Sequence, residues 1–574
     1  MGVRSIPLGL KRLLSYQRPW LQGDVLAGLT VAAYLIPQCM AYGELAGVKP
    51  VAGLWAILPA MVIYTLLGSS PQLSVGPEST TAVMTAVAIA PLAAPDGGDY
   101  AALASLLAII VGFVYIVGYL TRLGFLADLL SKPILIGYMA GVAVIMITGQ
   151  LGKISGISIE ANTVFGEVQT FLTHLPQSHR PTLILSILVL VFLFAIQSRF
   201  PNAPGPLLAV LLATAAVKVF ELEQLGVAVV SDIPTGLPQL RIPQLATAQF
   251  VPLASAAIGI ALVGYSDNVL TARSFATRNG YRIDANQELL ALGASNIGVG
   301  LMQGFPISSS GSRTVIGNAL SNKTQLFSLV AMVTVILVLL FLRPLLSSFP
   351  QAALGALVIY AATRLIEISE FLRLRHFRQT EFALAIITTI GVLATNLLLG
   401  IAIAVGLSVI ELFARVARPH DAVLGQVPGL AGWHDIDDWD GATTIPGLVI
   451  YRYDAPICFA NVENFKHRAL DAIAKENSPV EWFILNTEAI AEIDITAVDM
   501  LAELHQELHS RGITFAMVRV KQDLYSQLRR SGLLEIIGAA QIYPTLPTAI
   551  SAFESHHQTP PQKQSRGQEA EGRR

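Results

Sequence analysis

Long apolar runs fill the first two thirds of the chain and limit what it can fold into. From Asp24 to Glu411 they follow one another at close to bilayer length, separated by glycine, proline and small clusters of charge. A helix needs about 20 largely apolar residues to cross a membrane, where only helices and closed barrels satisfy their backbone polar groups. The sequence therefore predicts an α-helical multi-pass membrane protein. The clearest spans are Val25–Leu45, Val51–Leu67, Ala101–Tyr119, Ile134–Leu151, Leu183–Ile196, Leu207–Val219, Val251–Val263, Leu289–Met302, Leu326–Leu342, Ala352–Leu365, Phe382–Leu399 and Ile401–Phe413.

Two shorter segments, Pro77–Leu92 and Ser308–Leu320, are too polar to assign from hydropathy alone. They bring the expected number of spans to about 14, an even number that returns the chain to its starting side. With a cytoplasmic N-terminus, most of the Arg and Lys of the connections lie inside, as the positive-inside rule requires. We therefore expect a protein of the cell (inner or plasma) membrane, embedded in lipid, with both termini in the cytoplasm.

Charge is scarce and unevenly distributed. Only 13% of the 574 residues are charged, and 34 of the 76 charged residues lie in residues 419–574. From Gly447 onward, short apolar strands alternate with amphipathic helices, which predicts a small α/β domain. The predicted organisation is a cytoplasmic N-terminal segment (1–22), a transmembrane domain (23–418), a loop-rich linker (419–446), the α/β domain (447–555) and a disordered tail (556–574).

The composition argues against several functions. A net charge of −2 with mixed signs offers no basic surface for nucleic acid, so we expect no nucleic-acid partner. The two cysteines, Cys39 and Cys458, lie far apart, which argues against a disulfide framework and a cysteine metal site. The His505 and His509 pair lacks the glutamate of the H-E-x-x-H motif, which argues against a metal site there. The C-terminal domain has no phosphate loop and no nucleophile–base pair. We expect no cofactor, no ATP drive and no enzyme activity.

Two polar segments interrupt the membrane domain with similar chemistry. They read Gly76-Pro77-Glu78-Ser79-Thr80-Thr81 and Pro306-Ile307-Ser308-Ser309-Ser310-Gly311-Ser312-Arg313-Thr314. Irregular backbone at membrane depth is tolerated where it lines a protein cavity, so both segments predict half-helices that meet near the midplane. A half-helix N-terminus with nearby hydroxyl groups favours an anion. The alternative is that the small residues only permit close helix packing.

The spacing of the two segments suggests an internal repeat. Pro77 and Pro306 are 229 residues apart, and the same offset carries Gln38 in the first span onto Asp267 in the eighth. Two structural repeats would produce such equal offsets.

Asp267 is the acidic residue that most needs an explanation. A carboxylate at membrane depth costs several kcal/mol unless it is paired, protonated or bound to a cation. Thr271 follows one helical turn later and could supply an oxygen to a Na⁺ held by Asp267. Arg313 would place a permanent positive charge near an anion, or would neutralise Asp267 in an ion pair. Glu78 fits either a helix cap or a proton carrier.

Three membrane motifs together are similar to those of the SulP family of sulfate permeases. They are the run from Gly28 to Tyr42, Gly68-Ser69-Ser70 followed by Gly76-Pro77, and Gly304-Phe305-Pro306 with Ser308 to Arg313. The C-terminal domain resembles the STAS domain attached to those permeases. The resemblance implies two inverted seven-span repeats, a core domain (spans one to four and eight to eleven) and a gate domain (the other spans). It also implies a homodimer in which the core moves against the gate like an elevator.

The resemblance also assigns candidate site residues. Gln38 and Tyr42 match the first-span site positions, Ser309, Ser310, Gly311 and Ser312 match the tenth-span anion loop, and Arg313 matches its basic residue. With Ser79, Thr80 and Thr81 of the other half-helix, these are the candidate substrate-binding residues. The eighth-span acid, commonly Glu, is Asp267 here, and Asp267 with Thr271 matches the D-x-x-x-T of Na⁺-dependent bicarbonate transporters in the family.

The function that we expect is secondary active transport of an inorganic anion, sulfate ahead of bicarbonate, coupled to H⁺ or Na⁺ through Asp267, Thr271 and Glu78. The alternatives are a bicarbonate transporter, a passive anion channel or exchanger that would not need Asp267, and a nucleobase permease of the same architecture. In the C-terminal domain, Thr496 falls where related regulatory domains carry a phosphorylatable hydroxyl, but we expect it to serve as a helix N-cap.

Overall fold

The computed structural model describes residues 8–93, 100–128, 131–159, 163–200, 203–230, 233, 236–243, 250–395 and 397–558. Contacts divide the chain into two compact units, Met1–Ser408 and Val409–Arg574. The first unit is almost entirely helical, and the second is built on a β-sheet.

Nineteen α-helices occur in the described part of the chain as far as residue 417, together with three short 3₁₀-helices and two strands of two residues each. The helices are α1 (Leu8–Leu14), α2 (Leu21–Leu45), α3 (Pro50–Leu67), α4 (Ser79–Ile89), α5 (Tyr100–Leu120), α6 (Lys132–Thr148), α7 (Leu151–Ser155), α8 (Val164–His174), α9 (Arg180–Arg199), α10 (Gly205–Val219), α11 (Phe250–Asn279), α12 (Ala285–Leu301), α13 (Gly311–Ala319), α14 (Leu326–Phe341), α15 (Arg343–Ser347), α16 (Gln351–Thr363), α17 (Ile368–Phe377), α18 (Gln379–Ala394) and α19 (Leu397–Ala417). The strands are β1 (Val75–Gly76) and β2 (Ser308–Ser309).

The helices agree with the predicted spans to within a few residues at most ends. Seven helices among the described residues are long and apolar enough to cross a membrane, and α4, α10, α14 and α18 are shorter apolar helices. The chain is therefore a multi-pass helical membrane protein, as predicted. The number of about 14 spans stays a prediction, because half-helices and short helices are too short to be counted as complete crossings by length alone.

Small residues let the helices approach closely. A Cβ added at Gly53 in α3 would lie 1.8 Å from the carbonyl oxygen of Cys39 in α2. Only glycine permits this backbone contact, which is typical of helices that pack without a hydrophobic driving force between them.

The helices of the first unit form two groups. Helices α2–α5 and α11–α14, the first helix group, pack mainly against one another, and helices α6, α7, α9, α10, α16 and α18 form the second helix group. Helix α2 also touches α10 and α16, so it lies at the boundary between the groups. An ion pair crosses this boundary, with 3.0 Å between Lys153 Nζ in α7 and Glu44 Oε2 in α2.

The order of elements recurs within the membrane unit. Two long helices, a two-residue strand and a half-helix occur as α2, α3, β1 and α4, and again as α11, α12, β2 and α13. The proposed residue pairing of Pro77 with Pro306 is wrong, however. Pro77 follows β1 whereas Pro306 precedes β2, so the repeats differ in length at this loop and a constant offset of 229 does not hold there.

The second unit contains a six-stranded sheet in the order β4-β3-β5-β6-β7-β8. Strands β5 to β8 are parallel, and β3 is antiparallel to both of its neighbours. Its elements are β3 (Asp421–Gly425), β4 (His434–Asp435), β5 (Leu448–Tyr453), α20 (Val462–Ala474), β6 (Trp482–Asn486), α21 (Ile495–Ser510), β7 (Thr514–Val518), α22 (Gln522–Arg530), α23 (Leu533–Ile537), β8 (Ile542–Tyr543) and α24 (Leu546–Gln558).

Alternating side chains of the central strands fill two separate cores. Tyr451, Phe483 and Phe515 face α20–α23, whereas Ile450 and Trp482 face the opposite side, which α24 covers. Both faces of the sheet are therefore buried, as expected for parallel strands linked by helices.

Three predictions for this region need correction. The segment predicted as a linker contributes β3 and β4 to the sheet, because Asp421 to Val423 pair with Tyr451 to Tyr453. Helix α24 extends three residues into the predicted tail, and the rest of that tail lies outside the described residues. The N-cap of α21 is Asp494, whose carboxylate accepts a hydrogen bond from Ala497 N at 2.8 Å, and Thr496 is exposed in the first turn.

Candidate functional site

The two predicted half-helices begin at one junction inside the membrane unit. Strands β1 and β2 pair antiparallel, with Val75 opposite Ser309 and Gly76 opposite Ser308. Two residues separate β1 from α4 and one residue separates β2 from α13, and these helices are only 11 and 9 residues long. The pairing supplies hydrogen bonds to the backbone N–H and C=O groups of these irregular segments at membrane depth, and it brings two helix N-termini together.

Helices α11 and α12 hold the junction in place. The side-chain amide of Asn296 accepts a hydrogen bond from Ile307 N at 2.9 Å and donates one to Ile307 O at 3.2 Å. Ser308 Oγ donates to Gly264 O in α11 at 2.8 Å. The Asn296 side chain thus pairs with the backbone N–H and C=O of Ile307, as a neighbouring strand would. This role depends on tertiary packing and was not visible in the sequence.

Arg313 connects the two half-helices. Its side chain is fully buried, its Nη1 donates to Pro77 O at 2.9 Å, and its Nε donates to Ser74 Oγ at 3.3 Å. Its Nη2 has no partner among the described residues and lies beside Gly76. A permanent cation with free donor capacity therefore sits between the two helix N-termini.

Asp267 does not use Arg313 as a partner. Within the described part of the chain, its carboxylate forms no ion pair or side-chain hydrogen bond with any residue. It lies partly buried in α11, where Glu78 is an electrostatic neighbour. The hypothesis of an Asp267–Arg313 ion pair is therefore wrong for this conformation, and two carboxylates share the surroundings of the junction.

Glu78 is the N-cap of α4. Its Oε2 accepts a hydrogen bond from Thr80 N at 2.6 Å, and its Oε1 accepts one from Ser79 Oγ. The N-cap of α13, Ser310, makes no such side-chain bond. The two half-helices therefore differ, because α4 already has its own carboxylate at the N-terminus whereas the N–H groups of α13 are free of a side-chain cap.

Five of the remaining predicted site residues differ in whether their polar side-chain atoms have a partner. Thr81 and Ser79 use their hydroxyls locally, since Thr81 Oγ1 donates to Glu78 O at 3.2 Å and Ser79 binds the Glu78 carboxylate. Polar side-chain atoms of three others are buried without a partner in the described residues: Gln38 Oε1, Thr80 Oγ1 and Ser309 Oγ.

The other candidates line the same region. Tyr42 is buried in α2 with Ser79 and Glu78 among its neighbours. Ser310 Oγ and Ser312 Oγ are 3.2 Å apart, and a side chain at Gly311 would meet open space. Thr271 is one turn beyond Asp267 on α11 and is partly buried.

Two tyrosines near the junction were missed in the sequence. Tyr115 in α5 and Tyr138 in α6 are each 2% exposed, and their hydroxyls have no partner in the part of the chain described. Their electrostatic neighbours are Asp267 and Glu78, respectively. The available signal was a tyrosine within a largely apolar span.

Glu288 in α12 was also missed, because it directly precedes a predicted span. It is fully buried and accepts hydrogen bonds from Tyr64 OH, from Ser69 N and Oγ, and from Asn268 Nδ2. Such a set of donors replaces the water that a buried carboxylate loses. Since Asn268 adjoins Asp267, this cluster also fixes the rotation of α11 at the junction.

Similarity to known proteins agrees with this architecture. Residues 21–388 match the Sulfate permease family, and residues 441–549 match the STAS domain. A probable sulfate transporter of Mycobacterium tuberculosis is 53% identical over 545 residues, covering 95% of this chain and 97% of the relative. A chloroplastic sulfate transporter of Arabidopsis thaliana is 30% identical, covering 92% of this chain and 79% of the relative.

Two solved structures share the fold. The murine Solute Carrier 26 family member A9 anion transporter, in its inward-facing state, superposes with a TM-score of 0.87 and 21% identity, covering 96% of this chain and 94% of that chain. The transmembrane domain of a cyanobacterial bicarbonate transporter superposes with a TM-score of 0.60 and 22% identity, covering 69% of this chain and 98% of that chain. The family match and the identity over nearly the whole length lead to one conclusion: this chain belongs to the sulfate permease family, a family of membrane transporters rather than enzymes, and carries a STAS domain.

Proposed function

We propose that the protein is a secondary active transporter of an inorganic anion, sulfate first, and that a cation gradient drives it. The observation that carries the proposal is the junction of α4 and α13. There an N–H group of buried Arg313 has no partner among the described residues and lies beside a helix N-terminus without a side-chain cap. Helix N-termini and guanidinium groups are recurrent binders of oxyanions. The names of the relatives at 53% and 30% identity support sulfate as the substrate.

The anion would bind mainly at the α13 end. There it meets the backbone N–H groups, the hydroxyls of Ser309, Ser310 and Ser312, the open backbone at Gly311, and Arg313. Gln38, Tyr42, Thr80 and the first turn of α4 would contact it from the other side. Ser79 would join only if the Glu78 carboxylate released its hydroxyl, and Thr81 only if its hydroxyl left the backbone carbonyl oxygen of Glu78.

Charge balance argues for coupling to a cation. If Asp267 and Glu78 were both ionised, two negative charges would surround the one positive charge of Arg313, and a sulfate dianion would leave the buried site strongly negative. Like charges at such a site are unfavourable unless one acid protonates or a metal cation binds. We propose that Asp267 with Thr271 holds the coupling ion, H⁺ or Na⁺, and that Glu78 is a second candidate proton carrier.

The movement would take place at the boundary between the two helix groups. In this proposal the first helix group acts as the core and carries the site, while the second group acts as the gate, in a homodimer embedded in lipid. Residues 1–22, 23–418, 419–446, 447–555 and 556–574 remain the proposed functional divisions, with 419–446 contributing strands to the α/β domain. Both termini would be cytoplasmic in the cell membrane, which the distribution of Arg and Lys supports.

Bicarbonate is the second candidate substrate. The D-x-x-x-T spacing of Asp267 and Thr271 favours it, whereas the serine-rich loop before α13 favours sulfate. A passive channel or exchanger would not need Asp267. A nucleobase would require aromatic and amide partners at the half-helix tips, where this chain has Ser and Arg.

Uptake by proteoliposomes tests the proposal. Radiolabelled sulfate, bicarbonate and uracil are supplied in parallel under an imposed Na⁺ gradient, an imposed H⁺ gradient, or neither. We expect sulfate to accumulate above equilibrium only when a cation gradient is present. Accumulation of uracil, or sulfate uptake that merely equilibrates under every gradient, would contradict the proposal.

A further inference from the structure

The Tyr115 hydroxyl has no structural task in the described protein. The side chain is 2% exposed in α5, and its oxygen is buried without a hydrogen-bond partner among the residues described. A buried hydroxyl that loses water without gaining a partner destabilises the fold, and phenylalanine would fill the same space without this cost. The hydroxyl therefore points to a ligand.

This hydroxyl lies against α11 at Gly264. A Cβ added at Gly264 would lie 2.8 Å from the Tyr115 oxygen and 3.6 Å from Ser308 Oγ. Any larger residue would displace the hydroxyl from the helix surface. Gly264 thus leaves room for Tyr115 to approach α11 directly beside the junction.

Asp267 and Thr271 lie on the same face of α11 as Gly264, since the three positions are spaced by three and four residues. Side chains of a helix lean toward its N-terminus. On this geometry we expect the Asp267 carboxylate to extend back toward the turn of Gly264, where the Tyr115 hydroxyl lies, and the Thr271 side chain to extend toward Asp267. Tyr115 and Asp267 are electrostatic neighbours.

We propose that the Tyr115 hydroxyl is a third protein ligand, with Asp267 and Thr271, of a sodium site beside the substrate junction. The inference rests on the cation coupling of the proposed function and identifies the cation. A proton needs one acceptor, whereas a hard metal cation takes several oxygens at once. One carboxylate and two hydroxyl oxygens from α5 and α11 match the second requirement.

Tyr265 offers a matched control. It is also a buried tyrosine, with its ring 6.4 Å from that of Tyr115. Its hydroxyl lies 2.9 Å from Gly124 O and 2.8 Å from Ala285 O and donates its single proton to this pair of carbonyl oxygens, so it serves the fold. Tyr115→Phe and Tyr265→Phe each remove one oxygen from neighbouring rings, but only the first removes a proposed ligand.

The first experiment measures sulfate uptake by full-length protein in proteoliposomes over a series of Na⁺ concentrations, with K⁺ keeping the ionic strength constant. For Tyr115→Phe we expect the Na⁺ concentration at half-maximal uptake to rise at least tenfold, while the sulfate KM at saturating Na⁺ stays unchanged. For Tyr265→Phe we expect a lower melting temperature and a Na⁺ dependence within twofold of wild type.

A second measurement does not depend on transport. Because a ligand that binds only the folded state raises its stability, Na⁺ in place of K⁺ should raise the melting temperature of the purified wild-type protein. Tyr115→Phe should lose this increase, and Tyr265→Phe should retain it.

The outcomes separate the inference from the proposed function. A wild-type Na⁺ dependence in Tyr115→Phe would overturn the role of Tyr115 and leave the transporter proposal intact. Accumulation driven by H⁺ and indifferent to Na⁺ in the wild type would overturn the sodium site but not cation coupling. Accumulation under neither gradient would overturn both.

Discussion

Removal of the Arg313 charge is the most direct test of the anion site. The guanidinium is fully buried between the two half-helices, and one of its N–H groups is free of protein partners among the described residues. A unit charge about 5 Å from an anionic charge contributes roughly 3 kcal/mol at an effective dielectric constant of about 20. Since about 1.4 kcal/mol corresponds to a tenfold change in affinity, Arg313→Ala should weaken sulfate binding at least about 100-fold.

Two further variants separate charge from shape. Arg313→Gln keeps a long side chain that can still donate to Pro77 O but removes the charge, so its affinity should fall nearly as far as that of Arg313→Ala. Arg313→Lys keeps the charge but loses the planar fork that reaches Pro77 and Ser74, and a loss of about tenfold is expected.

The assay is binding of radiolabelled sulfate to purified protein, with melting temperature and size-exclusion profile as tests of folding. Arg343→Ala is the matched control, because Arg343 Nε donates to Ile233 O at 2.6 Å and lies outside the junction. Its sulfate affinity should equal that of wild type. A folded Arg313→Gln protein with wild-type sulfate affinity would refute the reasoning.

The other predictions concern coupling, domain roles and movement. Asp267→Asn should still bind sulfate but fail to accumulate it under an imposed gradient; accumulation would make Asp267 structural. Thr271→Val should lose stimulation of uptake by Na⁺ if sodium is the coupling ion, whereas unchanged uptake stimulated by external acid would indicate protons. A chain truncated after Arg418 should keep sulfate binding while expression or rate falls, and a well-folded truncation without any binding would contradict this separation of roles. Residues 419–574 are removed together because β3 pairs with β5, so a cut at residue 447 would leave that edge of β3 exposed, with only the two-residue β4 beside it. Cysteines at Glu44 and Lys153, bridged by a short bifunctional thiol reagent, should arrest transport reversibly if the two helix groups move; undiminished transport by the bridged protein would argue against that movement.

Hydropathy was sufficient to identify the membrane domain and most of its helices. The apolar runs Ala101–Tyr119 and Leu326–Leu342 correspond to α5 and α14, with ends that differ by at most one residue. This works because a bilayer forces the backbone to satisfy its hydrogen bonds within each segment, which makes a local property of the sequence decide the local structure. Local sequence also indicated the positions of α4 and α13, since Pro, Gly and hydroxyl residues interrupt the apolar pattern at both.

The hydrogen-bond and ion-pair partners of individual side chains could not be predicted from such local patterns. The sequence indicated that Asp267, Glu78 and Arg313 needed partners but left alternatives for each. The alternative of an Asp267–Arg313 ion pair was wrong, and the capping of α4 by Glu78 was one of two hypotheses. Thr496 was assigned as a cap where Asp494 fills that role. In each case a shift of one or two residues, or one helical turn, changes the partner while leaving the pattern unchanged.

The assembly of the site was decided by tertiary structure alone. Arg313 reaches Ser74 and Pro77, residues more than 200 positions earlier, only because β1 and β2 pair across the junction. Tyr115 meets Gly264 and the turn of Asp267 through the packing of α5 against α11. Local sequence determines which segments become helices and where they break, because that choice depends on backbone hydrogen bonds within a few residues. Contacts between segments depend on the shapes of whole helix surfaces, and no local pattern encodes them.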